Sequence, residues 1–401
     1  MKTSFNLGKR IWLVFILGTI SATGPLSIDL YLPALPEMTR DLGTSASLIQ
    51  MSLSACLLGL ALGQLISGPL SDKYGRKRPL MVGFSIFGLV SILIALTNSV
   101  YLLILLRFIQ GLAGASGQVL SRAIASDMFS GSLLTKFYSM LSAVNGIFPV
   151  ISPVIGGFMI QYVSWKGIFI LLAIIGFVLV IALLFGVGET LPVEKRTSGH
   201  PLESVREMFG FLKNAKFVRL ILATGLVSGG LFSYISASSF VFQNFFHMSV
   251  QNFSFLYALN GIGIAIGSII PGGLAARFSE VSQAKFVLSS TVLTTILLTL
   301  SALFFNNLPL VIILVFLTVT QFGVLFTLTT SIIMNLSLRN NGGLSALLGL
   351  SQNAIGGIMS PLVGVMGSNT YLPMALSIMG CMLLSMILFF SIHGKLGRGN
   401  L

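Results

Sequence analysis

The chain has 401 residues, of which 55% are hydrophobic and only 8% charged, with a mean hydropathy of +0.97. A soluble globular domain carries about 25% charged residues, so this composition excludes one and leaves a membrane protein. The formal charge of +13 would suit nucleic acid, but no soluble domain gathers the lysines and arginines.

Apolar segments long enough to cross a hydrocarbon core, about 20 residues each, recur along the whole chain. We place twelve, near residues 11–32, 47–68, 79–97, 101–121, 137–161, 166–188, 217–242, 252–276, 286–305, 308–335, 343–367 and 371–392. The first follows Lys9 and Arg10 in the manner of a signal peptide. Many spans follow it and no clear small-residue cleavage site does, so it reads as a retained helix. It carries Asp29, the only acidic residue within any expected span. A charge at the bilayer centre costs about 2.5–3.5 kcal/mol even on the mildest insertion scale. Asp29 is therefore expected to titrate as a proton carrier, against the alternative of a structural contact beside Tyr31, Pro33 and Pro36.

Between the second and third spans, Gly68 to Pro79 read G-P-L-S-D-K-Y-G-R-K-R-P. Lys73, Arg76, Lys77 and Arg78 then occupy a tight turn, and such basic clusters are retained on the cytoplasmic side. Gly68 and Gly75 suit close approach and a sharp bend. Charge retention does not explain Asp72 among them. Arg76 is expected to pair with Asp127 at the foot of the fourth span. Asp72 is expected to accept hydrogen bonds from the helix start near Gly342 to Ser345, where the dipole favours an anion. Both contacts would lock two halves of the chain when the inside is closed.

The fourth span carries Arg107, and a buried arginine needs carbonyls, water or a carboxylate. In the fifth, Gly146, Pro149, Pro153, Gly156 and Gly157 thin and bend the helix. That serves either ordinary packing or a seal of one half against the other. Cys56 and Cys381 both fall in spans, which excludes a disulfide framework or a zinc site.

Residues 189–216 form the longest polar stretch, with Pro192, Gly199 and Pro201, and are too few to build a core. They read as a cytoplasmic linker between a six-span half, 1–188, and a second, 217–401. With both termini inside, cytoplasmic segments hold every lysine and arginine except Arg40, Lys166 and Arg107, as the retention rule requires. A repeat is visible 204 residues apart, where Gly63 to Leu70 align with Gly267 to Leu274. The expected fold class is an all-α membrane protein of twelve transmembrane helices in two pseudo-symmetric six-helix halves, both termini cytoplasmic. A site near mid-membrane would lie between the halves.

Tyr31, Gln118, Asn145, Phe232, Tyr234, Phe240, Gln243, Tyr257, Asn260, Gln321 and Gln352 are aromatic or amide groups in spans. A cavity of that lining suits amphipathic molecules bound by shape and dispersion. Other classes fare poorly. His200, His247 and His393 all lie outside spans or at their ends, and no paired membrane carboxylate exists for catalysis. No filter or pore ring suggests a channel. No G-x-x-x-x-G-K-[ST] occurs for ATP, so energy must come from an ion gradient.

These motifs together resemble the major facilitator superfamily, and within it the drug:proton antiporters of the bicyclomycin-resistance (Bcr/CflA) group. Gly68 to Arg78 resembles its G-x-L-a-D-r-x-G-r-[RK] loop. Leu106 to Gly111 is similar to its R-x-x-q-G element, and Gly146 to Gly157 to its antiporter motif. Pro25 to Pro36 and Phe232 to Phe242 resemble the first and seventh helices of the Bcr type. The resemblance implies a part for Arg107 in proton coupling beside Asp29, and export of hydrophobic or amphipathic drugs. It implies no cofactor beyond the proton gradient, and only a small hydrophobic substrate and the lipid bilayer as partners. A monomer in the bacterial cytoplasmic (inner) membrane, multi-pass, is expected. Some relatives carry a second membrane acid two turns earlier, where this chain has Ser21; with one carboxylate, a neutral or monocationic substrate is favoured. Proton-coupled transport of an endogenous metabolite, outward or inward, is the alternative.

Overall fold

The computed structural model describes residues 7–129, 131–196, 210–335, 341–367 and 370–392, with side chains at 7–11 and scattered positions in 132–142, 195–211 and 341–346 outside that description. Twelve long helices dominate: α1 (Leu7–Asp29), α2 (Ala46–Tyr74), α3 (Lys77–Leu96), α4 (Val100–Met128), α5 (Gly131–Met159), α6 (Trp165–Gly186), α7 (Ala215–Ser239), α8 (Val250–Leu274), α9 (Glu280–Phe304), α10 (Leu308–Asn335), α11 (Asn341–Val365) and α12 (Leu372–Ile392). No strand occurs among the described residues. Hydrocarbon offers the backbone no partners, so helices that satisfy themselves are the available solution. Buried hydroxyls follow the same logic. Thr23 and Thr224 donate back to the carbonyls of Thr19 and Leu220 at 2.8 and 2.9 Å, which removes the penalty of a polar side chain in an apolar helix. Ser99, Ser249 and Ser279 cap α4, α8 and α9 by accepting from the backbone N–H three residues on.

Ten described segments are long and apolar enough to cross a membrane, fewer than the twelve expected. The other two, α5 and α11, include positions outside the description, and α5 contributes only the shorter apolar piece Ala143–Met159. Several helices overrun their apolar runs. α2 continues to Tyr74, so Asp72 and Lys73 are helical and the expected loop from Gly68 contracts to Gly75 and Arg76. Gly68 and Pro69 do not break the helix. A Cβ at Gly68 would meet only Val119 Cγ1 at 3.9 Å, so close approach is not its reason. The bend comes from Gly75, whose φ of +87° belongs to glycine.

The chain forms two compact units, one from the described residues of 1–44 and 55–203, the other from those of 45–54 and 204–401. In the first, α1 packs on α4 and α5, and α3 on α4 and α6. In the second, α7 packs on α10 and α11, and α9 on α10 and α12, the same order displaced by six helices. The aligned glycines of the repeat show the reason at atomic scale. A Cβ at Gly63 would stand 2.4 Å from the Leu112 carbonyl oxygen, and one at Gly267 2.1 Å from that of Thr320. Each therefore lets its helix cross the fourth of its own set backbone to backbone. The first unit's apolar core gathers Leu13, Leu17, Ile20, Phe84, Leu120 and Leu183.

Candidate functional site

Asp29 and Arg107 are the only charged residues among the described ones that are buried, at 6% and 0% exposure. Asp29 ends α1, whose interior carries Pro25; the chain then turns through Leu32–Ala34 into a short helix, Leu35–Asp41. Arg107 projects from α4 into aromatic surroundings. Its guanidinium lies 4.4 Å from the centroid of the Tyr31 ring and 5.7 Å from that of Phe169. Its Nη1 donates to Gln110 Oε1, and Gln110 Nε2 donates onward to Ser91 Oγ on α3 at 2.6 Å. Nε and Nη2 find no hydrogen-bond partner among the described residues. Those two N–H groups form the edge that grips a carboxylate in bidentate fashion. A desolvated cation over an aromatic face gains about 2 kcal/mol, which offsets only part of the lost hydration. The site thus holds a positive charge beneath an aromatic cover with an open donor edge. Because the ring supports the cation and is fully buried, Tyr31→Ala should lower the thermal stability of purified protein by about 4 kcal/mol, and Tyr31→Phe, which keeps the ring, by less.

The amides expected to line a cavity in the first half have local partners. Gln118 Oε1 accepts from Gln64 Nε2 at 2.8 Å. Asn145 Nδ2 donates to Ser21 Oγ at 3.0 Å and to the Leu141 carbonyl at 2.9 Å. The position where some relatives carry a second acid is thus a neutral pair between α1 and α5. On α5, Pro149 and Pro153 are both inside the helix. Gly156 and Gly157 are buried, and Gly146 is exposed. A Cβ at Gly156 would stand 1.9 Å from the Leu30 carbonyl oxygen, while one at Gly146 would meet nothing. Gly156 is what lets α5 rest on the chain between Asp29 and Tyr31.

In the second unit, Tyr234, Tyr257 and Asn260 come together. The tyrosine rings stack at 5.9 Å and 13°, and Asn260 Nδ2 donates to Tyr234 Oη at 2.7 Å. Asn260 Oδ1 is buried with no partner among the described residues. Phe240 and Gln243 fall in a π-helical turn, Phe240–Phe245, that widens the end of α7; Gln243 Nε2 donates to Ser239 Oγ at 2.8 Å. Such turns recur at functional sites. Phe232 packs against Gly356, where a Cβ would come within 2.4 Å of its ring. Thr294 donates to Gln321 Oε1 at 3.4 Å, and Gln352 is half-buried on α11.

At the basic turn, Arg76 Nε donates to Asp127 Oδ2 at 2.9 Å, and Nη1 donates to Asp72 and to Ser71 Oγ. Burial alone would lower the Arg76 pKa, but the bonds to Asp127 and Asp72 outweigh it and raise it above its ordinary value. Asp72 thus engages Arg76 in the turn that follows its own helix. Of its expected partner stretch, Gly342 to Ser345, only Leu344 has a described side chain. The second unit repeats the tie with its polarity reversed. Glu280, aligned with Arg76, accepts from Ser331 Oγ at 2.6 Å and Asn335 Nδ2 at 3.4 Å, and Ser331 aligns with Asp127. Sequence reasoning missed this, because the two ends no longer carry opposite charges.

It also missed Glu189, Phe169 and Gln110. Gln110 sat in a quoted motif without a role, and Phe169 was one of 31 phenylalanines. Glu189 reads in the sequence as one more charge of the linker. Its carboxylate accepts backbone N–H bonds from Arg76 at 2.8 Å, Lys77 at 3.3 Å, and Thr190 and Leu191 at 3.0 Å. Burial would raise its pKa, but those four donors outweigh it and hold the carboxyl below its usual value. A depressed carboxyl adds stability above its unfolded pKa of about 4.3 and loses it as pH falls through the folded value. This clasp therefore persists at neutral pH and loosens as pH falls below the ordinary carboxylate range.

Membrane-length helices in two similarly packed sets, with one buried acid and one buried base and no metal-binding cluster among the described residues, define a polytopic membrane transporter. The sequence matches the Major Facilitator Superfamily over residues 14–361, and the chain belongs to that family. It is 38% identical to the uncharacterized MFS-type transporter YdgK of Bacillus subtilis (strain 168), over 96% of each chain. It is 27% identical to the bicyclomycin resistance protein homolog of Haemophilus influenzae, over 95% of this chain and 96% of that one. Among solved structures, the nucleoside transporter NupG shares the fold with a TM-score of 0.77 at 15% identity, covering 96% of this chain and all of that one. The protein is a multi-pass transporter of the bacterial inner membrane.

Proposed function

We propose that this transporter is a proton-coupled secondary antiporter that exports hydrophobic or amphipathic drugs by alternating access. The observation that carries this reading is that Asp29, the one buried acid among the described residues, stands two residues before Tyr31, whose ring lies against Arg107, the one buried base among them. Tyr31 follows Asp29 by two residues and its ring lies against the Arg107 guanidinium. A change in charge at Asp29 would move the segment that covers Arg107, and the open edge of Arg107 is ready for an anionic partner. Proton binding and cargo binding would then compete, which is the minimum requirement for exchange. The relatives named for bicyclomycin and, in Acinetobacter baumannii, for chloramphenicol resistance support export of such compounds. The neutral Ser21–Asn145 pair favours neutral or monocationic cargo. The ties of Arg76 with Asp72 and Asp127 would act in gating between the two access states.

The test is drug-driven proton movement in inverted vesicles carrying a pH gradient. Addition of chloramphenicol or another amphipathic drug from a panel should dissipate the gradient in vesicles with the protein and not in those without it. Drug accumulation that survives an uncoupler would overturn the proposal.

A further inference from the structure

The basic turn has a third carboxylate, supplied from far along the chain. We propose that Glu189 is a positioning residue for that turn: delivered by the start of the linker, it caps α3 and presets Arg76 to bridge Asp72 and Asp127. The inference goes beyond the transport reading and does not depend on any cargo.

The geometry is specific. The N–H groups of Arg76 and Lys77 open α3 and lack helical partners of their own, and Glu189 accepts from both. An anion there also meets the positive end of the helix dipole. Gly75 is shaped to admit it. Besides the left-handed φ, a Cβ at that position would stand 2.3 Å from Glu189 Oε2. The glycine of the turn is therefore required twice, once by the bend and once by the carboxylate.

The surrounding bonds join the same elements. Thr190 Oγ1 donates to Asp127 Oδ2 at 3.1 Å, the oxygen that Arg76 Nε also uses. Lys77 Nζ donates to the Leu184 carbonyl near the end of α6 at 2.9 Å. Arg196 Nη2 donates to the Leu191 carbonyl at 3.4 Å and stands 3.9 Å from Glu189 Oε2. The first turn of the linker is thus fastened to α3, to the foot of α4 and to itself. Drawing the linker away would withdraw the cap from α3 and Thr190 from Asp127 together, releasing Arg76. The linker becomes a strap on the turn rather than a passive connection.

The experiment is hydrogen–deuterium exchange on the full-length protein in detergent, comparing wild type, Glu189→Gln, Gly75→Ala and Arg76→Ala. Glu189→Gln and Gly75→Ala should each speed exchange of the Arg76 and Lys77 amides at least tenfold, with residues 84–94 unchanged. Arg76→Ala should leave the Lys77 amide protected, because the cap is to the backbone. Trypsin cleavage after Arg76 and Lys77 should accelerate in Glu189→Gln and not in a Glu194→Gln control. Wild-type exchange rates and cleavage in Glu189→Gln, or loss of Lys77 protection in Arg76→Ala, would overturn the proposal. Neither readout involves a drug, so failure here is distinct from failure of the export reading.

Discussion

Asp29→Asn should abolish uphill drug export, with resistance conferred on a sensitive host falling to that of an empty control. The substitution keeps side-chain size and removes the buried carboxyl that the proposed exchange makes the proton carrier. Arg107 would retain Tyr31 and Phe169 at 4.4 and 5.7 Å from its guanidinium, so folding should survive. Drug binding should persist, because the aromatic and amide groups that would contact cargo are untouched. What should vanish is its linkage to protons, seen as downhill drug equilibration that no longer responds to a pH gradient. Counterflow with labelled drug in liposomes separates the two properties. Uphill export by Asp29→Asn at the wild-type rate would remove Asp29 from the mechanism.

The second large effect concerns Gly156. Gly156→Ala places a methyl group 1.9 Å from the Leu30 carbonyl oxygen, and a backbone atom cannot rotate aside as a side chain can. Overpacking of this kind costs about 3 kcal/mol. The strain falls on the segment that joins Asp29 to Tyr31, so transport should fail together with stability. Gly146→Ala, ten residues earlier on the same helix, is the control. Nothing lies within 4 Å of its added methyl, and alanine in an exposed helix is better than glycine by about 1 kcal/mol. Its thermal midpoint in detergent should equal or exceed that of wild type. A similar loss in both variants would mean that the helix needs glycine for bending rather than for contact with Leu30.

That contrast shows what sequence could reach. The bilayer fixes helix length and forbids open backbone, so twelve apolar runs translate directly into α1 to α12. Asp29 and Arg107 were legible because charge in hydrocarbon is expensive wherever the helices pack. Contacts between helices were less so. An amide in a span must find a partner, but sequence does not say whether that partner is cargo. Gln118 uses Gln64, and Asn145 uses Ser21. Tyr31 read as a cavity aromatic, yet its ring lies against Arg107. Glu189 was invisible for a different reason. Two of its partners are the backbone N–H groups of Arg76 and Lys77, more than a hundred residues earlier, and a backbone donor leaves no mark in the sequence. The second helix runs past its apolar end near residue 68 to Tyr74, with Pro69 inside it, because such helices tolerate glycine and proline in their interior.

The central claim is that one titrating carboxyl links cargo to protons, and calorimetry measures that linkage directly. Binding of chloramphenicol to purified protein, titrated at one pH in buffers of different ionisation enthalpy, should release about one proton per molecule bound, and Asp29→Asn should bind without release. Identical apparent enthalpies in every buffer, with wild-type protein and saturable binding, would contradict the account.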